Sequence, residues 1–326
     1  MKKIITGLLA GALALSAAPA AMAADALTLQ LKWVTQAQFA GYLVAEAKGF
    51  YDEEDLDVTI LAGGPNIAPE QVIAGGGADI IVTWMAAGMA ARESGVPLVN
   101  IAQPYKRSGL MMICPTETGI TSPDDFPGKT LGVWFFGNEY PFFAWMNKLG
   151  LPTEGGADGV TVLQQSFDVQ PMIQGQADCI SVMTYNEYGQ ALDAGYGPDN
   201  LTIFNYTEMG NDLLEDGLYV MEDTLEDPAK VDAYTRFVKA SMKGWAYALE
   251  NPEEAAEIVV ESDDTGAAEY DHQFYMVQEV TKLVDPNDPA LDMTTYERTV
   301  QALLDQGIIK NQPEGAYTTV VTDALK

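Results

Sequence analysis

Gly76-Gly77-Ala78-Asp79-Ile80-Ile81-Val82-Thr83-Trp84 and Gly175-Gln176-Ala177-Asp178-Cys179-Ile180-Ser181-Val182-Met183-Thr184-Tyr185 are two copies of one phrase, one in each half of the chain. In both, a Gly-x-Ala-Asp turn stops a helix and launches a short apolar run rich in β-branched residues. The run is too short for a helix and reads as a buried parallel strand. Ligands of open α/β sheets sit at the carboxyl ends of the strands, which is where Trp84 and Tyr185 fall. The repeat therefore predicts two similar α/β lobes. Each offers an aromatic at its strand tips to a cleft that closes on a flat ligand.

Around these strands the pattern alternates. Further strands are expected at 27–32, 57–61, 98–102, 130–133, 160–163 and 201–205, and helices at 41–48, 69–74, 86–94, 141–149 and 169–174. Alternation of this kind predicts a mostly parallel, doubly wound sheet flanked by helices. Two isolated apolar runs, 109–114 and 217–221, read as strands that cross between the lobes and act as the hinge. The first lobe then begins with 24–114, the inserted lobe is 115–218, and 219–326 is a return strand followed by helices that pack back on the first lobe. Pro228 and Pro252 stand where first-turn prolines would. Tyr234, Phe237, Val238, Met242, Trp245 and Leu249 recur at helical spacing.

Residues 1–23 read as a leader rather than as part of the fold. Lys2-Lys3 is basic, 4–18 is apolar and small, and Ala21-Met22-Ala23 is an A-x-A cleavage site. Spanning a membrane takes about 20 apolar residues, which this stretch lacks, and no cysteine follows for a lipid anchor. A cleaved signal peptide and export to the periplasm are expected. The formal net charge of −30, from 47 acidic against 17 basic residues, becomes −32 once Lys2 and Lys3 are removed. So acidic a chain argues against nucleic acid and anionic membranes as partners. Cys114 and Cys179 are the only cysteines. A disulfide would need their Cα atoms within about 7 Å, and two buried free thiols are the expectation.

Catalytic sets do not assemble. The one histidine, His272, falls in an expected surface helix over 270–284 and reads as solvated. No Ser-His-Asp or Cys-His arrangement has a placed base. Zinc, P-loop and dinucleotide signatures are missing, so neither a metal nor a cofactor is expected. Gly75-Gly76-Gly77 precedes a strand, which is the wrong context for a phosphate.

Binding features are richer. Trp33 ends the first strand, and the loop beyond it holds Gln36, Gln38 and Phe39. Asn66 sits in the loop after 57–61, and Trp84 closes the first twin strand. In the second lobe Trp134, Asn138 and Glu139 follow strand 130–133, and Tyr185-Asn186-Glu187 follows the second twin. Aromatic rings supply a stacking face. Amides offer both donor and acceptor, and carboxylates accept from an amine or a protonated ring nitrogen. Cleft mouths of this make-up suit a small planar nitrogen heterocycle. Each group also has a plainer reading: Trp33 and Trp84 as core, Glu139 as a first-turn acid favoured by the helix dipole, Asn138 and Asn186 as helix caps.

The run Leu29-Gln30-Leu31-Lys32-Trp33, continued by Gly41-Tyr42-Leu43-Val44-Ala45-Glu46-Ala47-Lys48-Gly49-Phe50-Tyr51, Leu56-Asp57-Val58 and Gly63-Gly64, resembles the NMT1/THI5-like group of periplasmic binding proteins. So do segment 76–82 and Tyr185-Asn186-Glu187. The likeness covers 27 to about 249. It implies a type II two-lobe binding protein that acts as a monomer and serves an ABC importer, handing a small molecule to an inner-membrane permease. A thiamine-precursor aminopyrimidine is the first ligand it implies, with riboflavin, a sulfonate or another small organic as alternatives. Yeast members of the group are pyrimidine synthases. They carry a histidine just after the strand–Trp opening, where this sequence has Gln38-Phe39, and a cysteine-rich run where it has Leu213-Leu214-Glu215-Asp216-Gly217. Both features are missing here, which implies binding rather than catalysis. A secreted enzyme using Glu139 and Glu187 as acid and base is the alternative of another class.

Overall fold

In the computed structural model, which describes residues 24–135 and 137–326, the chain builds two five-stranded sheets. The expected leader lies outside the described residues. β1 (Asp25–Gln30) leads through a 3₁₀ turn, Ala37–Phe39, into α1 (Ala40–Ala47). Then come β2 (Leu56–Leu61), α2 (Pro69–Ala74), β3 (Ile80–Thr83), α3 (Met85–Glu93) and β4 (Leu98–Ala102). The second unit follows with β5 (Leu110–Pro115), β6 (Thr130–Val133), α4 (Tyr140–Leu149), β7 (Thr161–Gln164), α5 (Gln170–Ile173), β8 (Cys179–Met183), α6 (Glu187–Asp193) and β9 (Leu201–Asn205). After β10 (Gly217–Met221) the chain is helical: α7 (Pro228–Glu250), α8 (Pro252–Glu261), α9 (Tyr270–Val280), α10 (Met293–Asp305) and α11 (Val320–Asp323). No helix among the described residues is long and apolar enough to cross a membrane.

The sheet orders are β2-β1-β3-β10-β4 and β7-β6-β8-β5-β9, one topology used twice. In each sheet four strands point the same way and one, β10 or β5, runs against them. The reversal has a simple cause. The chain leaves each unit from the carboxyl ends of its strands, so the strand that arrives from the other unit enters at that end and runs backwards. Leu110, at the start of β5, lies beside Met183, the end of β8; Gly217, at the start of β10, lies beside Thr83, the end of β3.

The twin phrase holds the third strand of each sheet by identical means. Gly76 (φ +74°) and Gly175 (φ +65°) take the left-handed conformation that ends α2 and α5. The amides of Gly76 and Gly77 bond back to Ile73 and Val72, those of Gly175 and Gln176 to Met172 and Pro171, at 2.8–3.0 Å. These are paired Schellman closures. Asp79 then exchanges two bonds with Thr28 of β1: its amide donates to the Thr28 carbonyl (2.9 Å), and its Oδ2 accepts from the Thr28 amide (3.0 Å). Asp178 does the same with Thr130 of β6, at 2.8 Å both ways. The register that follows, Leu29 opposite Ile80 and Leu131 opposite Cys179, is the same in both units. Every residue of β3 and β8 is buried, as expected for unalternating apolar strands covered on both faces.

The core of the first unit lies between its sheet and the α1–α7 pair, where Phe39, Tyr42, Phe237 and Trp245 are buried. Pro228 and Pro252 open α7 and α8, and Asp227 caps α7 by accepting from the Ala229 amide (2.9 Å).

Two expectations are corrected. Runs 109–114 and 217–221 are strands, but neither crosses between units. β5 is bonded between β8 and β9, and β10 between β3 and β4. The passages are the segments before them, 103–109 and 206–216, so the limits expected at 114 and 218 fall inside or at the edge of strands. An apolar run reveals a strand but not the sheet that adopts it. Likewise Cys114 and Cys179 are not free thiols but a disulfide. The antiparallel register that sets Ile113 opposite Ile180 also sets Cys114 opposite Cys179, with Cα atoms 4.2 Å apart.

This bridge closes a loop of 65 residues at full burial. The Cys114→Ala/Cys179→Ala protein should lose about 2–4 kcal/mol of unfolding free energy, read as a lower urea midpoint with a slope that rises as the denatured chain expands.

Candidate functional site: a cavity between the two sheets

A cavity of about 40 Å³ opens where the carboxyl ends of β1 and β3 face those of β6 and β8. The first unit contributes Lys32, Trp33, Gln36, Gln38 and Trp84; the second contributes Trp134, Asn138, Met183, Tyr185, Asn186 and Glu187. Trp84 and Tyr185, the terminal aromatics of the twin phrase, thus meet one shared space. A wider groove between α4 and α10 holds about 660 Å³. It is bounded by surface groups that already pair with each other, Arg298 with Asp212 (2.9 Å) and Lys148 with Asn211 (2.8 Å). No strand end reaches it.

Three expected site residues are not brought in. Phe39 is fully buried in the turn before α1 and belongs to the core. Asn66 is exposed beyond β2, an edge strand whose tip lies to one side of the cavity. Glu139 precedes α4 and folds back to accept from the Gly137 amide (2.8 Å); it faces a different recess. Asn138 lines the cavity while donating to the Phe135 carbonyl (3.0 Å), and the Trp134 indole donates to the Ser166 carbonyl (3.0 Å).

Polar groups of the two units form a single chain. Gln38 Nε2 donates to Asp216 Oδ2 (2.7 Å), and Gln36 Nε2 donates to Gln38 Oε1 (2.8 Å). Asn186 Nδ2 reaches Gln36 Oε1 across the cleft at 3.5 Å and donates to Glu187 Oε1 at 2.8 Å. Glu187 Oε2 accepts from the Met183 amide (3.0 Å), which ties the carboxyl to the end of β8. At the mouth, Trp33 meets the exposed Phe167 edge to face, ring centres 6.3 Å apart.

Several groups at the site are not among the expected site residues. Lys32 is buried, its ammonium 5.4 Å from the Trp84 ring centre, a cation–π distance. Asp216 is buried with Oδ1 unpartnered, as is the nearby Trp84 indole N–H, although the indole still favours the ionised carboxyl. Glu215 accepts from Ser108 Oγ and from the Gly109 amide (3.0 Å), fastening one passage between the units to the other. Consecutive acids within Leu213-Leu214-Glu215-Asp216-Gly217-Leu218 were the available signal, since charges interrupting an apolar run need partners when buried. His272, expected to be solvated, is half-buried with Nε2 2.8 Å from Asn186 Oδ1.

Burial governs the site's carboxyls. It pushes Glu187 up to about 7, against the pull of the Met183 amide. It pushes Glu215 up to about 8 and Asp216 up to about 6, the latter opposed by Gln38 and by the Lys32 charge.

A family model described as NMT1/THI5 like matches residues 36–255. The chain belongs to this family. A formylaminopyrimidine-binding protein of Halalkalibacterium halodurans is 25% identical over 318 residues, covering 91% of each chain. The riboflavin-binding protein RibY of Chloroflexus aurantiacus is 27% identical over 263 residues, 74% of this chain and 69% of that one. A 4-amino-5-hydroxymethyl-2-methylpyrimidine phosphate synthase of Legionella pneumophila is 25% identical over 252 residues, 72% and 73% of the two chains. Among solved structures, the periplasmic aliphatic sulphonate binding protein SsuA of Escherichia coli superposes with a TM-score of 0.68 at 12% identity, covering 89% and 90%. That last likeness is one of fold: the two-lobe α/β architecture of periplasmic binding proteins.

The raised carboxyls predict a pH dependence of stability. An acid whose folded pKa lies above its unfolded value keeps protons that the unfolded chain releases, so its contribution is whole below the unfolded value and disappears as pH rises. Here the window runs from the ordinary 3.8–4.5 up to about 8. The melting temperature of the ligand-free protein should fall between pH 5 and pH 8. Glu215→Gln, with its neutral amide, should flatten the upper part of that fall.

Proposed function

We propose that this chain is a solute-binding protein that captures a small planar nitrogen heterocycle, an aminopyrimidine of the thiamine-precursor type, outside the cytoplasm for an inner-membrane ABC importer. One observation carries the reading: aromatic faces from both units and a polar chain ending in Asn186 and Glu187 line the same cavity. Trp33, Trp84, Trp134 and Tyr185 provide the faces on which a ring stacks. Glu187 accepts from an exocyclic amine, and Asn186 donates to the ring nitrogen beside it. Gln36 and Gln38 read the edge from the opposite unit.

The magnitudes suit reversible capture. A charge-assisted hydrogen bond contributes about 1.5–3 kcal/mol, and stacking adds about 0.5–1.5 per aromatic beyond the area it buries. Micromolar affinity needs only about −8 kcal/mol in total. As it stands the cavity holds about 40 Å³, far below the roughly 300–1,000 Å³ typical of small-molecule sites, so a ring is admitted only when the two units part. Lys32 favours a second reading, an anionic cargo such as a sulfonate, since among the described residues it is the one basic residue lining the cavity. In neither reading is a bond made or broken.

Calorimetric titration with the aminopyrimidine, its formylamino derivative, riboflavin and an alkanesulfonate separates these readings. The pyrimidines should bind at micromolar level or tighter and be recovered unaltered by mass spectrometry. Glu187→Ala should weaken them about tenfold or more, the loss of one charged hydrogen bond. Tight binding of the sulfonate alone, or chemical change in the pyrimidine, overturns the proposal.

A further inference from the structure

Helix α9 belongs to the C-terminal helical layer but touches both units. Its Gln273 Oε1 accepts from the Ala37 amide (2.8 Å), in the buried turn that follows β1. On the other side Tyr275 Oη donates to the Thr184 carbonyl (2.8 Å), in the turn between β8 and α6. The Tyr275 ring lies where a side chain at Gly189 of α6 would stand; a Cβ there would come within 2.5 Å of it. Beside these anchors, one residue before Gln273, the His272 Nε2 meets Asn186 Oδ1 at 2.8 Å.

An amide oxygen can only accept, so this contact requires the proton on Nε2. Burial lowers the His272 pKa, with Asp193 of α6 opposing the shift, so the ring is neutral near pH 7 and carries one proton. The contact then fixes which way the Asn186 amide faces. With Oδ1 held by His272, and more distantly by Gln190 Nε2 (3.4 Å), the NH₂ group turns to Glu187 Oε1 (2.8 Å) and towards Gln36 Oε1 (3.5 Å). The longer bond lies at the outer limit of hydrogen bonding. That hydrogen is the one a ligand acceptor can take. A flipped amide would set an oxygen against the Glu187 carboxyl and offer the ligand two acceptors side by side.

We propose that His272 is the positioning residue of the cavity: it holds Asn186 so that the site presents an N–H donor beside a carboxyl acceptor, which selects a ring bearing an acceptor next to a donor. This rests on the ligand class proposed above. It adds a residue outside both sheets to the recognition and gives a role to the chain's only histidine.

Two measurements test it. The single imidazole can be read without ligand from its ¹⁵N–¹H correlations in the full exported chain. The expected result is the Nε2–H tautomer; an Nδ1–H tautomer or a solvent-averaged ring overturns the proposal. In titrations with the aminopyrimidine, His272→Phe should weaken binding about tenfold, while His272→Gln, which keeps a donor near the Nε2 position, should stay within about threefold. In an Asn186→Ala background His272→Phe should cost nothing further. Equal losses for Gln and Phe, or a full additional loss without Asn186, would mean that His272 only supports the fold. If the unaltered protein ignores the pyrimidine, the ligand reading falls, and the imidazole tautomer still decides whether His272 orients Asn186.

Discussion

The reciprocal bonds between Asp79 and Thr28, and between Asp178 and Thr130, are the constraint on which the rest depends. A parallel strand has no hairpin to set its register, and a slip of one residue exchanges its two faces. The aspartate removes that freedom at the point of entry. It docks on the neighbouring strand as soon as the Schellman turn releases the chain, and the length of the strand then decides where Trp84 and Tyr185 emerge. Two sheets entered in one register, with one topology, bring their strand ends to one cleft.

The cleft combines an apolar surround with a polar centre. Apolar strands and aromatic rings enclose a chain of amides and carboxyls running from Asp216 through Gln38 and Gln36 to Asn186 and Glu187. Such a chain is stabilising only where nearly every member is satisfied. The two members left short, Asp216 Oδ1 and the Trp84 indole, both lie at this site. Burial also raises all three carboxyls, and the Asp216 charge adds to the rise at Glu215. Glu215 acts on the passages rather than on the cavity, fastening 103–109 to 206–216 where any hinge motion would concentrate.

Some of the site was legible at the level of residue type. The consecutive aromatic, amide and acid at 185–187 lie together on the cavity wall, as do Trp33, Gln36 and Gln38 after β1. Phe39, Asn66 and Glu139 show the limit of that reading. All three follow strands, yet a turn sends Phe39 inward, an edge position strands Asn66, and a local backbone bond retains Glu139. Lying after a strand is necessary for reaching a cleft and does not suffice.

The amino-acid sequence by itself determined two α/β units, their helix stops and the aromatics at their strand tips. These follow from interactions spanning a few residues and from the unbroken apolar runs that both-faced burial demands. Tertiary structure alone decided that Cys114 meets Cys179, that β5 and β10 run backwards in their sheets, and that Asp216 and His272 bond to residues of the cavity wall. The separations give the physical reason: Gln38 and Asp216 are 178 positions apart, and Asn186 and His272 are 86 apart. No local pattern encodes contacts made only after two sheets and a helical layer have packed.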